Sequence, residues 1–363
     1  MKADSKDNGA PRLSVIMPVY NTSEFLEESI SSVLRQTFRD FELIAVDDGS
    51  TDNSLEICRR YEAADSRVRV LTQKNLGAGA ARNKGAAHAR AEYLMFLDSD
   101  DTAAPDMFAK AMEVMKEKDP DLLIFGYEEI FYSESGREKS RNERLPERLD
   151  LHTAADCRAR YCGLVFDAML NQPWNKVYKK SIIEKNDIKF PDVRRTQDAL
   201  FNGEYFRRVN SLCALPEPLY CFRQNNKGRV WKKFPRDSYK IDVGYNSYLE
   251  NILRDFGRYS GADRELADRW FFSSVYRDAG YYRNPYWALG RREKKEYVKK
   301  VISDDYIVGR AGSSLAPDKR SQRTKRRILD GDASGLLRDI RSGELRDSAY
   351  GFYLDKIRGK IRR

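Results

Sequence analysis

Between Arg12 and Tyr127 the chain alternates short β-rich runs with helix-like segments, and no other feature limits its fold as much. The runs are Leu13–Met17, Phe41–Val46, Arg67–Leu71, Tyr93–Leu97 and Leu122–Tyr127. Between the first two, Phe25, Leu26, Ser29, Ile30, Val33 and Leu34 recur at helical spacing. Thr22 or Ser23 stands where a cap belongs, and Glu24, Glu27 and Glu28 fill the opening turns. This order predicts an α/β protein with a mostly parallel, doubly wound central sheet flanked by helices. Ligands of such sheets gather at the carboxyl ends of the strands.

The residues that follow each strand therefore matter most. They are Pro18-Val19-Tyr20-Asn21, then Asp47-Asp48-Gly49-Ser50-Thr51-Asp52, then Asn75-Leu76-Gly77-Ala78-Gly79-Ala80-Ala81-Arg82-Asn83, then Asp98-Ser99-Asp100-Asp101. Three carboxylates at one buried strand end repel each other unless a cation or a protonation shift relieves them. Taken singly, Asp47 to Ser50 could be only a turn and Asp101 only a helix cap. Four polar turns on one ligand edge are harder to explain that way. The glycine stretch has Arg82 where a dinucleotide fingerprint needs a small residue, and it lacks the Gly-Lys-Ser/Thr ending of a phosphate loop. It reads as a tight turn into a helix, with Arg82 either a partner of phosphate or carboxylate or a bridge to one of the Asp clusters.

Composition narrows the chemistry. Only two histidines occur in 363 residues, so metal or base chemistry must rest on carboxylates. Five cysteines without CxxC spacing argue against a disulfide framework or a zinc site. The net charge of +10 suggests an anionic partner. No apolar run reaches 18 residues and the N-terminal residues are polar. A cytoplasmic protein is therefore expected, at most peripheral on the inner face of the cell membrane.

Residues 128–150 are dense in charge and read as a mobile connection or a solvated hairpin. Asn171-Gln172-Pro173-Trp174-Asn175-Lys176-Val177-Tyr178 precedes a short helix, and Gln197-Asp198 opens an apolar helical face at Ala199, Leu200, Tyr205 and Phe206. From Ser238 to Val301 helical patterns carry many aromatics, either as a core or as an acceptor groove. Basic residues cluster at Lys319–Arg327, and again at Lys356, Arg358, Lys360, Arg362 and Arg363 among Tyr350, Phe352, Tyr353, Leu354, Ile357 and Ile361. That tail reads as a membrane-surface helix, with nucleic acid or plain solvation as rivals.

Six of these segments resemble family 2 glycosyltransferases of the GT-A (Rossmann-like) fold, of the bacterial surface-polysaccharide type. They are Ser14–Asn21, Val46–Asp52, Ala80-Ala81-Arg82-Asn83-x-Gly85, Phe96–Asp101, Pro173–Lys176 and Gln197–Phe201, in the family's order. The resemblance implies a nucleotide-sugar-binding catalytic domain over 12–230; outside it, composition and helical patterning mark a polar tail over 1–11 and a helical accessory region with the basic tail over 231–363. It implies donor binding by Pro18, Val19, Tyr20, Asn21, Asp47, Asp48, Asn75, Gly77, Arg82, Asp98, Ser99 and Arg223, with Lys227 and Arg229 as rivals of Arg223. It further implies Mn²⁺ or Mg²⁺ at Asp98, Asp100 and Asp101, and Asp198 as the base. Trp174, with Asn175 and Gln197, is a candidate acceptor contact, although a Trp at an apolar helix start is as often core. Gln197 stands where the family commonly carries a first acid, which leaves Asp198 as the sole candidate.

The expected function is transfer of a sugar, with inversion, from a nucleoside-diphosphate donor such as a UDP-sugar to a carbohydrate or lipid-linked glycan. Departing diphosphate calls for a divalent cation, and the acceptor hydroxyl calls for a carboxylate base. An anionic membrane surface and a second copy of the chain are further partners this reading admits; nucleic acid is not expected. Two readings compete: a non-enzymatic basic protein binding nucleic acid or anionic membrane, and a nucleotidyltransferase on a similar sheet.

Overall fold

The protein is described here from a computed structural model covering residues 9–133, 136–225 and 236–342. Lys227, Arg229 and the basic tail at 350–363 lie outside the described residues. The chain divides into two compact units, 1–226 and 227–363, so the boundary falls four residues before the expected 230.

The first unit holds a ten-stranded mixed sheet ordered β3-β2-β1-β4-β9-β6-β10-β5, with β7 on β6 and β8 on β10. Strands β1 (Leu13–Val19), β2 (Phe41–Asp47), β3 (Val68–Thr72) and β4 (Tyr93–Phe96) are mutually parallel. They alternate with helices α1 (Ser23–Leu34), α2 (Ser54–Ala64) and α3 (Ala78–His88). Every residue of β1 and β2 is buried, as continuous apolar strands covered on both faces must be.

Pro18 sits inside a central strand, where a missing N–H is normally excluded. Its parity points that side toward β4, whose pairing with β1 has already stopped at the Ile16–Phe96 pair. The proline therefore breaks no ladder bond, and the two strands part there to open the ligand edge.

After β5 (Thr102–Ala103) and α4 (Met107–Lys118), β6 (Leu122–Tyr132) and β7 (Glu138–Arg144) form an antiparallel hairpin. The charged 128–150 segment is thus mostly hairpin. β8 (Leu149–Leu151) and α5 (Ala154–Phe166) follow. β9 (Lys176–Lys179) enters antiparallel between β4 and β6, a strand the sequence pattern had not announced. α6 (Lys180–Lys185), α7 (Gln197–Phe206) and the long β10 (Leu212–Asn225) complete the unit.

The second unit is helical: α8 (Tyr239–Asp255), α9 (Gly261–Gly280), α10 (Arg291–Ile302), α11 (Asp305–Ser313), α12 (Lys319–Leu329) and α13 (Ala333–Ser342). Tyr239, Phe271, Phe272, Tyr276, Tyr281, Tyr282 and Trp287 pack with Val298, Val301, Ile328 and Leu336 as its core. These aromatics therefore build the unit and line no acceptor groove. No helix among the described residues is long and apolar enough to cross a membrane.

Candidate active site

The strand order reverses between β1 and β4, the place where open α/β sheets bind ligands. Hydrogen bonds between the turns fix this edge. Asn21 accepts from Thr51 N at 2.7 Å and its own N–H donates to Ser50 Oγ at 3.1 Å. Ser23 N–H donates to Asp52, whose carboxyl is held down at about 2: burial opposes ionisation, but the Ser54 and Ser23 donors outweigh it.

Asp48 is buried and its carboxylate is fully engaged. It accepts from Gln73 Nε2, Leu76 N and Gly77 N, each at 2.8 Å. It therefore anchors the turn carrying Asn75 and Gly77, both exposed. Asp47 accepts from Gly49 N and Ser50 N through Oδ2, while its buried Oδ1 has no hydrogen-bond partner. Pro18 and Val19 are buried, and Tyr20 is 44% exposed beyond them.

Helix α3 lies so close to β1 that a Cβ at Gly85 would sit 2.4 Å from Ile16 Cγ2. That approach buries Arg82 between two acids. Its Nη2 donates to Asp98 Oδ1 at 2.7 Å and its Nη1 to Asp198 Oδ1 at 2.8 Å. Of the two roles its position in sequence left open, the geometry shows the bridge, spanning 116 residues to Asp198. The arginine side chain is 4% exposed, yet Asp98 and Asp198 remain 26% and 33% exposed. The bridge thus engages one carboxylate oxygen of each acid and leaves the other free of it.

Asp198 lies in the first turn of α7. Burial raises its pKa above the ordinary aspartate range; the Asp98 charge adds to this, and the Arg82 guanidinium works against it. Behind it stands Lys176, which sequence reasoning did not single out. Its Nζ is buried and donates at 2.6 Å to Gln172 O and to Asn175 Oδ1, and burial pulls its pKa well down. A lysine among apolar strand residues was the only available signal.

The acidic turn after β4 splits by depth. Asp101 is 1% exposed and accepts from Tyr220 Oη and Arg223 N, both at 2.7 Å. Burial, with the Asp100 and Asp98 charges, pushes its carboxyl well above the usual range. The Tyr220 hydroxyl also accepts from Asp98 N at 3.1 Å, and Arg223 Nε donates to Asp100 O at 3.1 Å. Asp101, Tyr220 and Arg223 together set the shape of the turn.

This geometry corrects four expectations. Asp101 is not a ligand facing the edge, because both its oxygens are spent inside the fold. Trp174 is 5% exposed and stacks on Tyr220 with ring centroids 4.3 Å apart, so it supports the turn and offers no platform to a sugar. Asn175 is fully buried, donating to Phe125 O at 3.0 Å. Gln197 remains half-buried at the start of α7. Arg223 ion-pairs with Glu28 at 2.6 Å between the rings of Phe25 and Tyr132, so it braces the turn where an arginine closing over phosphates had been expected. Ser99 is buried and accepts from Thr22 Oγ1 at 3.0 Å.

Among the described residues no three His, Cys, Asp or Glu side chains form a metal cage. The donor set does fit a hard cation that takes one or two carboxylates and keeps its other positions for water and phosphate oxygens. Asp98 and Asp100 are the two partly exposed members.

Comparison with known proteins places the chain in a family. Residues 14–185 match the family described as glycosyl transferase family 2. The uncharacterized glycosyltransferase EpsJ of Bacillus subtilis is 33% identical over 219 residues, covering 59% of this chain and 62% of EpsJ. Glycosyltransferase GlyG of Streptococcus pneumoniae is 31% identical over 222 residues, 59% of this chain and 71% of GlyG. The chain thus spans less than two thirds of EpsJ. The crystal structure of Staphylococcus aureus TarS 1–349 superposes with a TM-score of 0.62 at 19% identity, covering 92% of each chain, and shows the same fold.

Proposed function

This chain belongs to glycosyltransferase family 2, and from that premise we propose that it transfers a sugar, with inversion, from a UDP-sugar to a hydroxyl of a carbohydrate or lipid-linked glycan. The observation that carries the reading is the Arg82 bridge, which ties an acid of the β4 turn to the acid of α7 on the open edge of the sheet. S. aureus TarS, solved with UDP-GlcNAc bound, supports a UDP-sugar as the donor to try first.

The roles follow from the chemistry of the groups. Asp198 takes the proton of the acceptor hydroxyl through the oxygen that Arg82 leaves uncovered, and its raised pKa strengthens it as a base. One base and a single displacement give inversion at the anomeric carbon. Arg82 keeps the two acids at fixed separation and offsets their repulsion. The turn anchored by Asp48, together with the exposed Tyr20 after β1, receives the nucleoside. Asp98 and Asp100 would hold Mg²⁺ or Mn²⁺, which when bound neutralises departing diphosphate.

Incubating the protein with a panel of nucleotide sugars, with and without Mn²⁺, tests the proposal. Released UDP and a product of inverted anomeric configuration are expected. Released pyrophosphate would point to a nucleotidyltransferase, and absence of nucleotide binding across the panel to a non-enzymatic protein. Attachment to anionic lipid through residues 347–363 also belongs to this reading. Deleting them should abolish sedimentation with anionic vesicles.

A further inference from the structure

The two units carry opposite charge. Residues 1–226 hold 33 Lys and Arg against 37 Asp and Glu, a net of −4, whereas residues 227–363 hold 33 against 19, a net of +14. The basic run that stands out in sequence, Lys319–Arg327, is largely spent inside its own unit. Lys325 Nζ donates to Ser314 O at 2.7 Å, Arg326 pairs with Asp330 at 3.4 Å, and Arg327 pairs with Asp332 at 2.5 Å and Asp339 at 2.9 Å.

Helix α10 differs. Arg291, Lys295 and Lys299 follow one another at i, i+4 and i+8, all exposed. No acid pairs with any of them among the described residues. The two acids of the helix are committed elsewhere, Glu293 to the backbone N–H of Gly290 at 2.7 Å and Glu296 to Arg292 at 2.8 Å. Like charges at this spacing repel along a helix. The row sets one positive charge about every 6 Å over about two turns.

We propose that this row on α10 binds an extended anionic glycan, whose repeating phosphate or carboxylate groups run along the helix, and so holds the acceptor polymer. The geometry favours a polymer chain over a lipid surface. Helices that lie in a membrane interface present an apolar face to the lipid. The apolar residues of α10, Tyr297, Val298, Val301 and Ile302, are buried in the core of their own unit. Charge is all the helix offers outward. The role of the polymer as acceptor rests on the transferase reading; its binding does not.

The test is salt-dependent binding of the full-length protein to polyphosphate and to polygalacturonate, with dextran as the neutral control. Binding to at least one polyanion and none to dextran is expected, and the arm that binds tells phosphate from carboxylate. The variant Arg291→Gln/Lys295→Gln/Lys299→Gln changes only exposed side chains. It should lower affinity at low salt roughly tenfold or more and cut the slope of log affinity against log salt by about 2, at about 0.7 per lost charge. UDP binding should be unchanged. Equal affinity and slope for variant and wild type would overturn the proposal. So would row-dependent binding to phosphatidylglycerol vesicles with none to either polymer, which would make the row a lipid contact. Polymer binding by a protein that binds no nucleotide would sink the transferase reading and leave the row standing.

Discussion

Each unit contains a buried arginine between two carboxylates; around Arg310 both acids also meet a further arginine, Arg254 at Glu250 and Arg264 at Asp268, whereas among the described residues Asp98 and Asp198 ion-pair with Arg82 alone. Arg310 on α11 is 5% exposed and pairs with Glu250 of α8 at 2.9 Å and Asp268 of α9 at 2.8 Å. Those partners are 16% and 0% exposed, and Asp268 also accepts from Leu315 N at 2.8 Å. This arrangement is closed and ties three helices together. Arg82 is just as buried, but its partners keep about a quarter and a third of their side chains exposed. The charge types are the same in both places. An arginine that closes on its acids serves architecture, whereas one that leaves each acid a lone pair toward solvent leaves room for chemistry.

Two substitutions test this contrast most strongly. Asp198→Asn should lower the rate of transfer by about 10³-fold, within the usual span for removing a general base, while UDP affinity and thermal midpoint change little. Asp268→Asn should do the opposite. Removing one member of a buried ion pair leaves the other uncompensated and costs about 3 kcal/mol in unfolding free energy. Turnover per folded molecule should hold. If urea titration finds Asp198→Asn the more destabilising of the two, the division between open and closed sites fails.

A smaller effect is expected at Tyr220. Tyr220→Phe keeps the ring against Trp174 but removes the hydroxyl that serves Asp101 and Asp98 N. Leaving a buried acceptor short of a donor costs about 1–2 kcal/mol. Because the lost bond shapes the acidic turn, donor KM should rise about tenfold with little change in kcat, and Trp174 emission should stay at its wild-type wavelength. An unchanged donor KM would reduce Tyr220 to a core residue.

The open site was more legible in sequence than the closed one, for physical reasons. Asp98, Asp100, Asp48 and Arg82 stand out because strand period and turn chemistry announce four strand ends on one edge. Trp174, Asn175 and Lys176 were misplaced or missed because β9 is only four residues long and buried through its first three, so it has no alternation to read. Sequence gives Lys176 a charge, and only packing removes it from water. In the 319–327 run, too, charge in sequence is not free charge, since Asp330, Asp332 and Asp339 pair with Arg326 and Arg327. Arg223 was expected to close over phosphates; its bonds to Asp101 and Asp100 and its pair with Glu28 on α1 come from packing of β10 that the sequence does not announce.

The finest distinction lies within the first unit. Glu42 near the start of β2 is 1% exposed and accepts from Ser14 Oγ at 2.7 Å, Arg90 N at 2.8 Å, Arg90 Nε at 2.9 Å and Arg69 Nη1 at 3.1 Å. Burial works to raise its pKa, and the donors from Arg90, Ser14 and Arg69 together outweigh it, so the carboxyl is lowered. A lowered folded-state pKa gives stability that is fully present above the unfolded value of about 4.3 and is lost as pH falls through the folded value. The gap in urea midpoint between wild type and Glu42→Gln should therefore be widest near neutral pH and shrink as pH drops below about 4. UDP affinity should not change, because Glu42 lies at the opposite end of β2 from Asp47 and has no lone pair left for a ligand. A gap independent of pH would mean that the carboxylate contributes shape and not charge. Loss of UDP affinity would mean that closed sites in this unit also reach the ligand edge.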